Sequence, residues 1–233
     1  MQEGLSILIP CYNETNRPNF EKRIHRIEDI LKESMIPGEI IYIDDGSKDN
    51  TFEVLKKENQ KVYSLSRNYG KYAAIEYGIP YCQYDTILML DADINLSLNT
   101  LMITYEYRKT YPVMIGCRFY PLSDKDKKLY RKLLSICGHF VSKNIFKLPY
   151  LDTQCGYKMF SKEIYNQIKT PMLCKRYLWD MEFLLELQKL NINVKEVPMW
   201  DDSLKQSTFK SIPMLFGSFK EFIQLLSKYK KGI

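Results

Sequence analysis

Thr86-Ile87-Leu88-Met89-Leu90-Asp91-Ala92-Asp93 is the stretch that decides the fold. Five apolar or β-branched residues in a row, too few for a buried helix, read as a strand covered on both faces. The run then breaks into two carboxylates separated by one small residue. Working outward, the same pattern recurs towards the N-terminus. Leu5 to Ile9 is a short apolar strand, which Pro10 is expected to stop. Glu39 to Ile43 is another, ending in Asp44-Asp45-Gly46-Ser47, and Val62 to Leu65 is a third. Between them lie helical stretches: Asn19 to Ser34 with the stripe Phe20, Ile24, Ile27, Ile30 and Leu31, then Thr51 to Asn59 capped by Asn50, then Tyr72 to Ile79. Strands alternating with helices predict an α/β fold with a mostly parallel central sheet and helices on both faces.

Beyond Tyr111 the rhythm changes. Met114 to Arg118 reads as a strand, Lys125 to Phe146 as a helical stretch that is basic and then apolar, Phe183 to Leu190 as a helix, and Val194 to Val197 as a strand. From Ile212 the residues Leu215, Phe216, Phe219, Phe222, Ile223 and Leu226 recur at helical spacing, and Lys228, Lys230 and Lys231 follow. Two parts are therefore expected: an α/β domain over 1–211 and an amphipathic basic helix over 212–233 suited to a membrane interface.

Composition excludes several classes. The chain has 233 residues, 45% hydrophobic and 27% charged, which is ordinary for a globular protein and not for a disordered one. A net charge of +6 fits an anionic ligand or a membrane surface and implies no nucleic acid partner. Cys11, Cys82, Cys117, Cys137, Cys155 and Cys174 are scattered without a C-x-x-C, so reduced thiols are expected rather than a disulfide framework or zinc site. His25 and His139 are too far apart in sequence to argue for a metal cluster. No apolar run reaches the roughly 18–20 residues that span a bilayer, and the opening Met1-Gln2-Glu3-Gly4 lacks the basic and apolar regions of a secretory leader. Neither a G-x-G-x-x-G after the first strand nor a G-x-x-x-x-G-K-[ST] is present, which argues against a dinucleotide fingerprint and a P-loop.

The polar residues gather after the strands: Asn13 and Glu14 after the first, Asp44 and Asp45 after the second, Asp91 and Asp93 after the third of the long ones. Ligands of open α/β sheets bind outside the carboxyl ends of the strands. Asp91 and Asp93 can approach one divalent cation from a single loop, and Asn95 could add a carbonyl oxygen. Mg²⁺ or Mn²⁺ prefers such hard ligands and keeps room for phosphate oxygens. The plain alternative for this motif is a solvated turn.

The context is more specific. Ile9-Pro10-Cys11-Tyr12-Asn13-Glu14, Ile43-Asp44-Asp45-Gly46-Ser47, Arg67-Asn68-Tyr69-Gly70-Lys71 and Leu90-Asp91-Ala92-Asp93 stand in an order and spacing that resembles the GT-A glycosyltransferases of family 2. Downstream, Asp152-Thr153-Gln154-Cys155-Gly156-Tyr157-Lys158-Met159-Phe160, Arg176 to Glu182 and Val197-Pro198-Met199-Trp200 are similar to the branch that makes polyprenyl-phosphate sugars, the dolichyl-phosphate glucose synthases above all, with the mannose-phosphate synthases next. The resemblance implies a GT-A fold and a role for each matching residue. Pro10, Tyr12 and Glu14 would hold nucleobase and ribose, with Asp45 and its neighbour Asp44. Asp91 and Asp93, with Ala92 between them and Asn95 beyond, would hold the metal that bridges the diphosphate. Arg118 would meet phosphate at the reaction centre, and Arg131 would receive the lipid phosphate. Asp152 and Gln154 would lie on the donor-sugar loop, where Gly156 permits close approach. Lys71 and Lys205 would stand near the diphosphate. Two departures stand out: Tyr72-Ala73-Ala74 follows Lys71 where the branch usually has glycines, and Leu204-Lys205-Gln206 replaces a Gly-Ser-Lys.

Displacing a nucleoside diphosphate from an anomeric carbon builds charge on the leaving group, which a metal and basic side chains neutralise. The acceptor decides whether a base is needed. A sugar hydroxyl must lose a proton, whereas a lipid monophosphate, with a second pKa of about 6, is already largely dianionic at neutral pH. Three readings follow. The first is an inverting transferase moving a hexose, UDP-glucose favoured because Asp180 resembles the glucose branch, to a polyprenyl or dolichyl phosphate on the cytosolic face of a membrane. The second is a family 2 enzyme extending a cell-surface glycan, with Asp180 or Glu182 as base. The third is a non-catalytic sugar-nucleotide-binding subunit. A membrane-protein partner or a homo-oligomer is compatible with any of them.

Overall fold

In every long strand, alternate residues point into two separate apolar layers. Leu8 of the first strand, Ile41 and Ile43 of the second and Ile87 and Met89 of the fourth enter one core, while Ile7, Ile9, Tyr42, Leu88 and Leu90 enter the other. A strand buried on both faces is a continuous apolar run, and it needs helices on each side to stay out of water. The computed structural model describes residues 3–58, 60–118, 142–168, 171–199 and 212–229. Its strands are β1 (Leu5–Cys11), β2 (Gly38–Asp44), β3 (Lys61–Ser64), β4 (Thr86–Leu90), β5 (Val113–Cys117), β6 (Tyr157–Ser161) and β7 (Val194–Pro198). They form one sheet in the order β3-β2-β1-β4-β6-β5-β7. All pairings are parallel except those of β6, which runs antiparallel to both β4 and β5. The helices are α1 (Phe20–Glu33), α2 (Thr51–Lys57), α3 (Lys71–Gly78), α4 (Leu98–Tyr107), α5 (Lys162–Gln167), α6 (Trp179–Lys189) and α7 (Ile212–Tyr229). Side chains of α1 and α4 fill one core, and those of α3, α6 and α7 fill the other.

The expected α/β architecture is therefore observed, with α4 and α5 added to the expected helices and three further differences. β1 does not stop at Pro10 but continues to Cys11. The Cys11 carbonyl faces β2, where it accepts the Asp45 N–H at 2.8 Å. Alternation then turns the Pro10 nitrogen towards β4, beyond the last β1–β4 pair at Leu8 and Met89, so no ladder bond is lost. Tyr157 to Phe160, quoted above in one motif with the donor-sugar loop, belongs to β6, which pairs Leu90 with Tyr157 and Ile87 with Phe160. Finally, α7 packs onto the core. Leu225 is fully buried, Tyr229 nearly so, and Phe222 and Leu226 are half-buried against the same cluster. Among the described side chains of the expected stripe, Phe219 is 62% and Ile223 49% exposed. Lys228, expected among the interfacial lysines, instead binds Glu182 at 2.9 Å and Glu186 at 2.8 Å. The basic half of the Lys125 to Phe146 stretch lies outside the described residues.

Candidate active site at the strand ends

Asp91 and Asp93 leave the carboxyl end of β4 in a turn that the rest of the molecule holds tightly. The Asp91 N–H donates to the Gly156 carbonyl at 2.8 Å, and the Ile94 N–H closes the turn on the Asp91 carbonyl at 3.0 Å. Arg23 of α1 donates through Nε to the Ala92 carbonyl at 2.9 Å. Gly156 directly precedes β6 and lies against the Asp91 side chain, so close that a Cβ there would sit 2.1 Å from Asp91 Oδ2. The close approach implied for Gly156 is thus to this carboxylate. Both acids face cations: Lys71 Nζ stands 2.7 Å from Asp91 Oδ1, and Arg17 is 3.2 Å from Asp93 Oδ2 and 3.1 Å from Glu14. This is a built charge cluster, not a solvated turn. Burial raises the Asp91 carboxyl above its ordinary range, with Lys71 opposing. Burial likewise pushes Glu14 up to about 7, against the pull of Arg17.

Lys71, at the start of α3, bridges Asp91 to Asp180 at the start of α6, with Nζ–Oδ distances to Asp180 of 2.9 and 3.0 Å. Asp180 has a second partner, the fully buried Lys158 of β6, at 2.6 Å. Burial works against the Asp180 charge, but Lys158 and Lys71 together hold its carboxyl below the ordinary range. Asp180 is accordingly not a free base. Glu182, one half-turn on, accepts the N–H groups of Leu173 and Cys174 at 3.0 and 2.7 Å and pairs with Lys228. At 0% exposure Glu182 is enclosed by these partners, and both acids expected as candidate bases are bound by lysines.

Arg118 leaves β5 and meets Asp152 through a two-pronged pair, Nε to Oδ2 at 2.7 Å and a terminal nitrogen to Oδ1 at 2.9 Å. Burial opposes the charge, yet Asp152 keeps the guanidinium above its ordinary range. The Asp152 carboxylate is buried, while about a third of the Arg118 side chain remains open to solvent. Asp152, expected on the donor-sugar loop, here binds and aims Arg118. Glu196 of β7 holds the Leu151 and Asp152 N–H groups at 2.9 Å. Gln154 projects outward from the same turn.

Of the residues expected to border a nucleotide, Pro10 is half-buried and Tyr12 is 37% exposed. Asp44, only 2% exposed, accepts the Ser47 N–H and the Ser64 hydroxyl, the latter at 2.8 Å, and so shapes the turn. Asp45 accepts the Tyr69 and Gly70 N–H groups at 2.7 and 2.8 Å. Gly46 is required by its left-handed φ of 62° and by the Arg67 backbone, which a Cβ would strike at 2.4 to 2.9 Å. Asn95 lies half-buried past the acidic pair. Arg131, Lys205 and Trp200 lie outside the described residues. Sequence reasoning missed Arg17, Arg23, Lys158 and Glu196. For Lys158 a signal existed: it is the one charge inside the apolar run Tyr157 to Phe160.

The donor set suits a hard divalent cation, with two carboxylates one residue apart that already attract the ammonium of Lys71 and the guanidinium of Arg17. Among the described residues no third Cys, His, Asp or Glu completes a metal-holding group with them. Beside the pair stand an aimed arginine and a buried lysine, an arrangement able to neutralise phosphate oxygens.

Comparison with known proteins agrees with this geometry. Residues 6–169 match the sequence pattern of glycosyl transferase family 2. A dolichyl-phosphate beta-glucosyltransferase of Trichomonas vaginalis is 30% identical over 85% of this chain, and one of Dictyostelium discoideum is 29% identical over 98%. The chain spans 66% of the length of the first and 76% of the second. Among solved structures, glucosyl-3-phosphoglycerate synthase from Mycobacterium tuberculosis, in complex with Mn²⁺, uridine diphosphate and phosphoglyceric acid, superposes with a TM-score of 0.74 over 99% of this chain and 79% of that one. At 17% identity that likeness concerns the fold.

Proposed function

Because the chain belongs to glycosyl transferase family 2, we propose that it transfers a hexose from a nucleoside-diphosphate sugar, UDP-glucose being favoured, to a polyprenyl or dolichyl phosphate with inversion at the anomeric carbon. The observation that carries this reading is the state of the buried acids. Asp152, Asp180 and Glu182 are each bound by a cation, at 2.7, 2.6 and 2.9 Å. None is poised to take a proton from a sugar hydroxyl, and a phosphate acceptor asks for none. It asks for fixed positive charge, and Arg118 offers a guanidinium that is aimed from behind and open in front. The names of the relatives point to the same acceptor.

Asp91 and Asp93 would hold the divalent cation, Mn²⁺ or Mg²⁺, which when bound neutralises charge on the departing diphosphate. Lys71 holds Asp91 and Asp180 in register, and its ammonium adds to the field at the same place. Tyr12 and Pro10 border the nucleotide, while Asp45 and Gly46 shape the loops beneath it. Among the described residues no helix is long and apolar enough to cross a membrane. The proposed seat on the cytosolic face rests on the exposed Phe219 and Ile223 of α7, with the rest of the 212–233 segment as its expected extension.

The test is a partition assay with labelled UDP-glucose, Mn²⁺ and dolichyl phosphate in detergent. Label is expected in the organic phase, dependent on the lipid phosphate and abolished by EDTA. Label that stays in a water-soluble saccharide would give the site to the glycan-extending reading.

A further inference from the structure

Among the described residues, a carboxylate that accepts four backbone N–H groups lies outside the strand ends, on α7. Glu221 is only 8% exposed, and it accepts four consecutive backbone N–H groups. Lys175 and Arg176 donate to one oxygen at 3.0 and 2.9 Å, and Tyr177 and Leu178 to the other at 2.8 Å each. A carboxylate in such a nest is held by charge-assisted bonds, and in return it fixes the backbone that donates them. The turn so fixed runs directly into Trp179 and Asp180 at the start of α6. A second close approach seats the helix on the same turn: Gly217 lies against the Tyr177 ring, where a Cβ would come within 2.4 Å.

The far side of this turn touches the site. The Lys175 carbonyl accepts the Tyr72 N–H at 3.1 Å. Gly70, with φ of 100°, passes so near that a Cβ would sit 2.3 Å from that carbonyl oxygen. The segment Tyr69 to Tyr72 is therefore held from two sides, by the Asp45 carboxylate on Tyr69 and Gly70 and by the Lys175 carbonyl on Tyr72. Lys71, in the middle of it, reaches Asp91 and Asp180. A continuous chain of bonds thus leads from α7 to the acidic pair.

We propose that Glu221 is a positioning residue for the site: by clamping residues 175–178 it holds the Lys71 segment against Asp91 and Asp180. The proposal rests on the reading above only for its effect on turnover. The conformational link stands on the geometry alone. Without the carboxylate, four N–H groups lose their common acceptor, the turn loosens, and the Lys175 carbonyl no longer braces Gly70 and Tyr72.

The experiment compares Glu221→Gln, Glu221→Ala and Leu225→Ala. The last removes packing on the same helix without touching the nest. Hydrogen exchange of the intact chain is followed in peptides covering 66–74 and 171–178. For both Glu221 variants, exchange is expected to quicken about tenfold or more in both peptides, and for Leu225→Ala it should stay near wild type in 66–74. Glu221→Gln keeps the side-chain volume and one acceptor oxygen, so it carries the test if Glu221→Ala does not fold. Faster exchange confined to 171–178, or equal loosening of 66–74 in Leu225→Ala, overturns the proposal. In turnover, the donor KM should rise about tenfold in Glu221→Gln with a smaller change in kcat, the split expected when a binding segment is misplaced. A wild-type donor KM in a folded Glu221→Gln also overturns it. If the wild-type chain turns over no nucleotide sugar, the functional reading fails while the exchange measurement still decides the link.

Discussion

Lys158→Met tests the buried charge network most directly. Lys158 is 1% exposed at its side chain, and its ammonium donates to Asp180 at 2.6 Å and to the Cys155 carbonyl at 2.5 Å. Methionine matches the length of the stem and removes the charge. Asp180 would then keep Lys71 alone, and the Cys155 carbonyl would lose a donor. Breaking a buried pair costs about 3–5 kcal/mol when the remaining charge is left without a partner. Because Lys71 remains, the lower end applies, about 3 kcal/mol. In a chain of this size each kcal/mol moves the midpoint by roughly 2–4 °C, so the expected loss in Tm is about 6–12 °C. The double variant Lys158→Met with Asp180→Asn removes both charges and should recover about 1.5 kcal/mol or more relative to the sum of the single changes. Urea and thermal unfolding of the four proteins give the cycle. A loss below about 1 kcal/mol for Lys158→Met, or additivity within about 0.5 kcal/mol, would refute the claim that Asp180 depends on Lys158.

Other outcomes follow from the same geometry. Asp91→Ala should lower donor turnover by roughly 10³-fold or more, measured at saturating Mn²⁺ with the fold checked by circular dichroism. Gly156→Ala places a methyl group against Asp91, and thermal melts should show a loss of about 1–3 kcal/mol together with reduced turnover. Asp152→Asn releases the two-pronged hold on Arg118, so acceptor KM should rise well before donor KM does in steady-state kinetics. Away from the site, burial opposes the charge of Glu39, but Lys61, the Gln83 N–H and the Ser6 hydroxyl hold it below its ordinary value of 4.5. A folded pKa below the unfolded one contributes stability that is present above about pH 4.5 and is lost as pH falls through the folded value. Glu39→Gln should therefore flatten the acid limb of a stability–pH curve, and an unchanged limb would deny the effect.

What could be read from the sequence depended on how local the cause was. β4 is legible because burial on both faces leaves an uninterrupted apolar run, and Asp91 and Asp93 follow it directly. The stripe of α1 is legible because Phe20, Ile24, Ile27 and Ile30 all enter one core. α4 escaped because two of its buried positions are Thr100 and Thr104, whose hydroxyls bond to carbonyls, and Thr104 also meets the Tyr157 hydroxyl. β6 escaped because Lys158 interrupts its apolar alternation, and the reason for that lysine, Asp180, lies on another element. The pairings that give the site its character join residues far apart in sequence, such as Lys71 and Asp180 at a separation of 109. Such pairs depend on packing, which local periodicity does not encode. The acids that the sequence places after the strands do gather at one end of the sheet, while the protein partners of Asp44, Asp152 and Asp180 could not be read from it.

The antiparallel β6 also sets a schedule for folding. Leu90 pairs with Tyr157, so 67 residues (157 − 90) separate the partners that bring Gly156 to Asp91. Closing a loop of that length costs about 2 kcal/mol more entropy than a five-residue hairpin, by the logarithmic scaling of loop closure. Until Ser161 has emerged from the ribosome, β4 and β5 cannot reach each other through β6, and the N–H of Asp91 lacks its carbonyl. A chain ending before Gly156 therefore lacks the contact that holds the Asp91 turn, whatever else of the sheet it contains. The register must also be right at the first attempt, since a slip of one residue would turn Lys158 to the opposite face of the sheet, away from Asp180, and bring Met159 in its place. The native register alone pairs the buried lysine with Asp180, so the strand's place in the sheet and the charge pair beneath the site are one and the same feature.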